Sequence, residues 1–284
     1  MSSRPVPPPA RRQDGHKGSS GRVLMLAGSA DMPGAALLAA RAAMRGGAGL
    51  VRLVDRADLF GVLLPLALPE AVRVVIHAEP DAAWFAARDE HALLIGPGLG
   101  LADAAALRRL VRAAAEGFAG PLLLDADALN AFAGRAMELA RPRGALLLTP
   151  HPGDAARLLG EDIGAGEAER AAAARELARR SGAVCVLKGA GTRIDDGQRQ
   201  ARNPTGGPAL STAGSGDVLA GLLSAYLCAL GPAFDAFAAA CAAVWVHGRA
   251  GDACAARLGE RGTLASDLIE ALPAAQRELA LPLP

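Results

Sequence analysis

Seven short apolar runs rich in Val, Leu and Ile recur along the chain, and each closes on a turn or charged position: "RVLMLAG" (22–28), "GLVRLV" (49–54), "AVRVVIH" (71–77), "HALLIGPG" (91–98), "PLLLDAD" (121–127), "GALLLTPHPG" (144–153) and "GAVCVLKGAG" (182–191). Their hydrophobicity is continuous rather than alternating, which marks strands covered on both faces, as in a mostly parallel sheet. Between them, Ala-, Leu- and Arg-rich stretches at 34–46, 102–116, 154–160 and 166–181 have helical composition and enough length for crossovers. The alternation predicts an α/β protein, a three-layer α/β/α domain around a mostly parallel central sheet. After it, "TRIDDGQRQARN" (192–203) reads as strand, Asp-Gly turn and strand, an antiparallel pair closing one edge. Residues 1–15 are expected to form a disordered tail, with a single domain over 16–284 and no internal repeat.

Residues 218–246 are apolar apart from Ser224 and Asp235, but Gly231-Pro232 divides them. A membrane span needs about 20 consecutive apolar residues, so two buried helices joined by a Gly-Pro turn are expected instead. The first twenty residues hold no continuous apolar segment of the kind a secretory signal carries, which points to the cytoplasm. A net charge of +1 without a basic stripe argues against a nucleic-acid surface. Cys185, Cys228, Cys241 and Cys254 show no CxxC spacing and read as reduced core residues.

In open parallel sheets, ligands lie outside the carboxyl ends of the strands. The loops expected there are "AGSADMPGA", "GPGLG", "DADALN", "TPHPGD", "KGAGT" and "TAGSGD". In "TAGSGD" (212–217) the glycines let backbone N–H groups turn inward as an anion-binding nest at a helix start. Asp217 would compete with such an anion unless it acts as a general base on a hydroxyl that attacks the bound phosphoryl group. Its other reading is a helix cap. "KGAGT" (188–192) suits a cradle for nucleotide phosphates or a sugar, or else an ordinary strand-to-hairpin turn, and Lys188 is one of two lysines in an arginine-rich chain. His151 stands between two prolines that aim it out of its loop, while Asp125 and Asp127 suit either substrate and Mg²⁺-water contacts or, for Asp127, capping. GxxxxGK[ST], GxGxxG, GxSxG and HExxH are absent, so phosphate handling rests on glycine turns and helix ends.

Taken in order, "HKGSSGRVLMLAGS", "GAALLAARAAMRGGAGLV", "LLIGPGLG", "LLLDADALN", "LLTPHPGD", "VLKGAGT", "NPTGGPALSTAGSGDVLAG", "HGRAGD" and "TLASDL" resemble the ribokinase-like superfamily, in which a GxGD turn holds the catalytic aspartate. More narrowly, they resemble the ADP-dependent (S)-NAD(P)H-hydrate dehydratases, the YjeF carboxyl-terminal domain family, over residues 16–272. That resemblance implies dehydration of (S)-NADHX or (S)-NADPHX at the expense of ADP, giving NADH or NADPH, AMP and phosphate. Asp217 would deprotonate the ring hydroxyl, with Gly214, Ser215 and Gly216 as the anion hole. Ala35, Gly98 and His151 match positions that contact the hydrated cofactor. Lys188, Gly189, Ala190, Gly191 and Thr192, with Gly216, match the adenine-nucleotide segment.

The resemblance also implies Mg²⁺ bridging phosphates, with no side-chain metal ligand assigned, and a homo-oligomer, often a tetramer. Two positions depart from the family pattern: Asp154 where Glu is usual, which shortens a Mg²⁺-water or phosphate-side contact, and Ser215 where Thr is common. The chain has no room for the epimerase domain fused in many relatives, so it is expected to depend on a separate NAD(P)HX epimerase. The alternatives are another ribokinase-like enzyme, such as hydroxyethylthiazole kinase, and a nucleotide-binding sensor without turnover.

Overall fold

A computed structural model describes residues 4–56, 58–100, 103–139 and 142–281. Its elements run β1 (Arg22–Leu26), α1 (Pro33–Gly46), β2 (Leu50–Asp55), α2 (Phe60–Ala67), β3 (Val72–Val75), α3 (Ala82–Ala86), β4 (Ala92–Ile95), α4 (Ala104–Gly117), β5 (Leu122–Leu124), α5 (Asp127–Asn130), β6 (Leu146–Leu148), α6 (Pro152–Leu159), α7 (Glu167–Ser181), β7 (Val184–Leu187), β8 (Arg193–Asp195), β9 (Gln200–Arg202), α8 (Ser215–Leu227), α9 (Ala236–Leu258) and α10 (Ala265–Ala280). The strands form one sheet in the order β3-β2-β1-β4-β5-β6-β7-β8-β9. Pairing is parallel from β3 to β7 and antiparallel at β7/β8 and β8/β9. The apolar runs thus supply the parallel strands, and the Asp-Gly segment supplies the antiparallel edge.

Why the runs are continuously apolar is visible in β1. Val23 and Met25 pack into one core with α1, α8, α9 and α10, whereas Leu24 and Leu26 pack into the other with α4 and α7. Successive side chains leave a strand on opposite faces, and helices cover both, so neither set can be polar. β6 is shorter than its run because Pro150 and Pro152 cannot donate to a ladder. The residues beyond it become the loop that carries His151.

The long apolar stretch divides as its Gly-Pro turn requires. Gly231 and Phe234 bridge between α8 and α9, and Asp235 caps α9 by accepting from the Ala238 N–H at 2.9 Å. α9 continues beyond 246 to Leu258. The sequence gives no clear sign of α2, α3 or α10, and for α5 only the capping reading of Asp127, which in the structure is the helix's first residue rather than its cap. α3 and α5 are too short to show a helical period, and α2 and α10 carry Pro65 and Pro273 within them. Asp103 caps α4, and residue 102, the expected start of that helix, lies outside the described residues.

Residues 4–15 adopt neither helix nor strand; Arg4 donates to the Glu278 carbonyl at 3.1 Å and Arg11 to that of Gly47 at 2.7 Å. Residues 1–3 of the expected tail lie outside the described residues. Cys185 and Cys254 are buried and Cys228 and Cys241 half-buried, all as free thiols. Among the described residues no helix is long and apolar enough to cross a membrane. β1 lies between β2 and β4, so the winding reverses there, and such a switch point opens a crevice at the carboxyl ends of the strands.

Candidate active site

The β1 and β4 loops meet at that crevice. The Gly28 N–H donates to the Pro97 carbonyl at 2.7 Å. Gly98 has a φ of +61°, and a β-carbon there would stand 2.7 Å from that of Ala35, so the two positions pack directly against each other. Next along the rim, Asp125 is buried and accepts from Lys188 Nζ at 2.9 Å, while Asp127 accepts from the Gly100 N–H at 2.8 Å and ties the β4 and β5 loops together. Between those carboxylates Ala126 holds φ +48°, ψ −117°, a strained conformation for a residue with a side chain.

The turn before α8 leans on α1: Gly214, at φ +84°, leaves no room for a β-carbon, which would stand 2.4 Å from Leu38 Cδ1. α8 has no capping side chain. The Ser215 N–H is taken by the Thr212 carbonyl at 3.2 Å, which leaves the N–H groups of Gly216 and Asp217 as first-turn donors, reinforced by the helix dipole. His247 is buried behind this turn, with Nε2 3.0 Å from the Ser215 carbonyl and 3.2 Å from its hydroxyl. A carbonyl only accepts, so Nε2 carries the proton. Burial lowers the His247 pKa to about 4 and keeps the ring neutral.

Asp217 is half-buried beside Asp125 and Lys188. Burial pushes its carboxyl up, Asp125 adds to the rise and Lys188 opposes it, for a value of about 6. An aspartate so placed is a stronger base than one in water and remains ionised at neutral pH.

One cavity of about 760 Å³ opens at the ends of β6, β7 and β9. It is lined by His151, by the whole segment 188–192 and by Ser215, Gly216 and His247. Asp217 is not in that lining, but its neighbour Gly216 is, and a β-carbon on Gly216 would stand 3.5 Å from Lys188 Nζ. Lys188, Gly189, Ala190, Gly191, Thr192, Gly216 and His151 are therefore brought together. Ala35, Gly98 and Gly214 stand outside that lining.

His151 also begins α6. Its Nδ1 accepts from the Asp154 N–H at 3.2 Å, and Asp154 accepts from the His151 N–H at 3.1 Å and from Arg157 at 2.5 Å. The Asp154 carboxylate is thus held by its own helix start. The phosphate-side contact considered for it from sequence has no free oxygen directed to it.

Three features had no assigned role in the sequence. Arg170 on α7 donates to the carbonyls of Ala190 at 2.6 Å and Lys188 at 3.5 Å, and among the described residues it makes no ion pair. A peptide N–H points opposite to its carbonyl, so this grip turns the N–H groups of Gly191 and Gly189 away from Arg170, as a phosphate cradle needs. The "NPTGG" segment is sewn to α9: Thr205 donates to the Trp245 carbonyl at 2.9 Å, and the Gly206 N–H donates to Asp252 at 3.1 Å. Gly248 makes that approach possible, since a β-carbon there would stand 2.1 Å from Thr205 Oγ1. His247 and Asp252 belong to "HGRAGD", and this was the signal available for them.

A mostly parallel three-layer sheet with a glycine-lined, aspartate-bearing helix start beside a nucleotide-sized cavity defines a ribokinase-like fold. The sequence profile of the NAD(P)H-hydrate dehydratase family matches residues 23–274, and the chain belongs to that family. It is 38% identical over 266 residues to the ADP-dependent (S)-NAD(P)H-hydrate dehydratase of Neisseria meningitidis, covering 92% of this chain and 87% of that protein. It is 39% identical to the bifunctional NAD(P)H-hydrate repair enzyme Nnr of Moorella thermoacetica, covering 95% of this chain and 52% of that protein, so it spans about half the length of such bifunctional relatives. The crystal structure of the ADP/ATP-dependent NAD(P)H-hydrate dehydratase of Bacillus subtilis, co-crystallised with ATP/Mg²⁺, superposes with a TM-score of 0.82 at 32% identity, covering 95% and 94% of the two chains.

Proposed function

We propose that this chain dehydrates (S)-NADHX and (S)-NADPHX at the expense of ADP, releasing NADH or NADPH, AMP and phosphate. The observation that carries the reading is Asp217: a carboxylate raised to about 6, one residue from the cavity-lining Gly216 and beside Lys188. Water is a poor leaving group, so the ring hydroxyl is first phosphorylated, and phosphate then leaves as the adjacent ring carbon loses a proton and the ring double bond forms. Asp217 takes the hydroxyl proton as oxygen attacks the β-phosphorus of ADP and the bond to AMP breaks. The turn through Gly214, Ser215 and Gly216 presents the free N–H groups of Gly216 and Asp217 to the transferred group, the Ser215 N–H being taken by the Thr212 carbonyl. Segment 188–192 holds the adenine nucleotide, and Ala35, Gly98 and His151 contact the hydrated dinucleotide.

Among the described residues no group of three or more His, Cys, Asp or Glu is placed to hold a metal ion. Asp125 is engaged by Lys188 and Asp154 by its helix start, so these side chains do not form a protein cage for Mg²⁺. Mg²⁺ would instead arrive on the nucleotide phosphates, mostly hydrated, and neutralise their charge. The B. subtilis relative crystallised with ATP/Mg²⁺ supports this. The bifunctional relatives support a working partnership with an NAD(P)HX epimerase, and we place the chain in the cytoplasm as a homo-oligomer.

The test is incubation with an NADPHX preparation, ADP and Mg²⁺, following reduced-nicotinamide absorbance and free phosphate together, with ATP compared at equal concentration. Parallel gain of both, greater with ADP, is expected. A stable phosphorylated alcohol without absorbance gain would identify a kinase such as hydroxyethylthiazole kinase, and nucleotide binding without turnover would identify a sensor.

A further inference from the structure

A second cavity of about 360 Å³ lies at the ends of β1, β2 and β3, lined by Ser29, Arg56, Ile76, His77, Glu79 and Leu99 among others. It shares no lining residue with the larger cavity, and its volume falls in the range of small-molecule sites, about 300–1,000 Å³. We propose that this cavity binds the ADP-ribose half of the hydrated dinucleotide, with Arg56 as its phosphate contact. The inference rests on the dehydratase reading and extends it to the part of the substrate remote from the reacting ring.

Steric exclusion gives the direction. With the ring at Asp217, the co-substrate nucleotide fills the rim at β6 to β9, so the substrate's own pyrophosphate and adenosine must leave the other way. That way passes Ala35 and Gly98, and Gly98 is followed directly by Leu99 of the second cavity. α1 begins there without a capping side chain, and Gly34 in its first turn has open space where a side chain would stand. Its free N–H groups suit a pyrophosphate. β3 lies three strand spacings from β4, about 14 Å, a reach that an extended dinucleotide covers.

The lining fits this ligand. Ile76 and Leu99 offer apolar surface to a base, and Ser29 Oγ is buried without a hydrogen-bond partner among the described residues. Arg56 Nη2 is 2.6 Å from Glu79 Oε2, and exposed His77 stands on the same wall. Arginine answers phosphate, and a carboxylate beside it accepts from ribose hydroxyls while repelling a 2′-phosphate. The pair therefore favours NADHX, and removing Glu79 shifts preference toward NADPHX.

The test compares wild type, Arg56→Gln and His77→Glu, the last at an exposed position that adds repulsion without disturbing the core. KM is measured for NADHX, for hydrated nicotinamide mononucleotide, which lacks the adenosine half, and for ADP. ADP-ribose binding to AMP-saturated enzyme is measured by calorimetry. Expected are a KM for NADHX raised about tenfold in both variants, as for one lost charge-assisted contact, unchanged KM for the mononucleotide and for ADP, and weakened ADP-ribose binding. Unchanged NADHX kinetics and ADP-ribose binding in both variants, with turnover intact, would overturn the cavity's assignment and leave the dehydratase reading standing. A wild type that binds ADP-ribose through Arg56 but never turns over a hydrated cofactor would overturn the dehydratase reading instead.

Discussion

Lys188 Nζ lies 2.9 Å from Asp125 Oδ1, and the two charges act on Asp217 in opposite directions. Burial is the larger effect on Asp217 and sets its value at about 6. As the proposed proton acceptor, Asp217 would be active only above that pH. The rate kcat is expected to rise about tenfold per pH unit on the acid side and to level off above about 6. Asp217→Asn should lose about 10²–10⁴ of the rate while still binding ADP. A pH-rate profile with equilibrium nucleotide binding checks both.

The opposed charges give a test of sign. Lys188→Met removes the group that lowers the Asp217 pKa, so the acid limb should move to higher pH. Asp125→Asn removes a group that raises it, so the limb should move to lower pH. The direction of each displacement is read from the same profile, with circular dichroism confirming that each variant is folded.

The stability of the protein should carry the same signature. A raised folded-state pKa makes a contribution that is fully present below 3.8, the ordinary value for this aspartate, and is lost as pH rises through about 6. Asp217→Asn removes the cost of a half-buried negative charge. It should therefore unfold at a higher temperature than wild type at pH 8, and the difference should shrink toward pH 4. Thermal melts across that range check it.

Arg170 holds the Lys188 and Ala190 carbonyls, so it should matter to nucleotide binding without touching the reacting atoms. Arg170→Met is expected to raise KM for ADP about tenfold, the equivalent of one lost good contact, with a smaller change in kcat. Arg170→Lys should recover only part, because a single ammonium cannot reproduce a planar fork across two carbonyls. Separate determination of KM and kcat for the three proteins decides this.

Ala126 occupies φ +48°, which glycine adopts without penalty. Ala126→Gly should relieve strain of about 1–3 kcal/mol against an unfolded-state entropy cost of about 0.5–1 kcal/mol. A net gain of about 1 kcal/mol is expected, read as a rise in Tm or in the midpoint of denaturant unfolding.

The sequence by itself determined the sheet and its edge, because the signals are local. A strand covered on both faces must be apolar at every position, and an Asp-Gly turn between short strands specifies a hairpin. The glycine turns at 188–192 and 214–216 were legible for the same reason, since their conformations are written into the residues that adopt them. Folding decided which side chains meet across long separations: Lys188 with Asp125, 63 positions apart, and His247 with Ser215, 32 apart. It also placed Arg170 beneath the 188–192 loop and engaged Asp154 in starting its own helix. Such contacts depend on the order of strands in the sheet and on which helix covers which face. Hydrophobic period and turn composition carry no record of either, and so the burial that raises the Asp217 pKa, and the two charges that adjust it, emerge only in the folded chain.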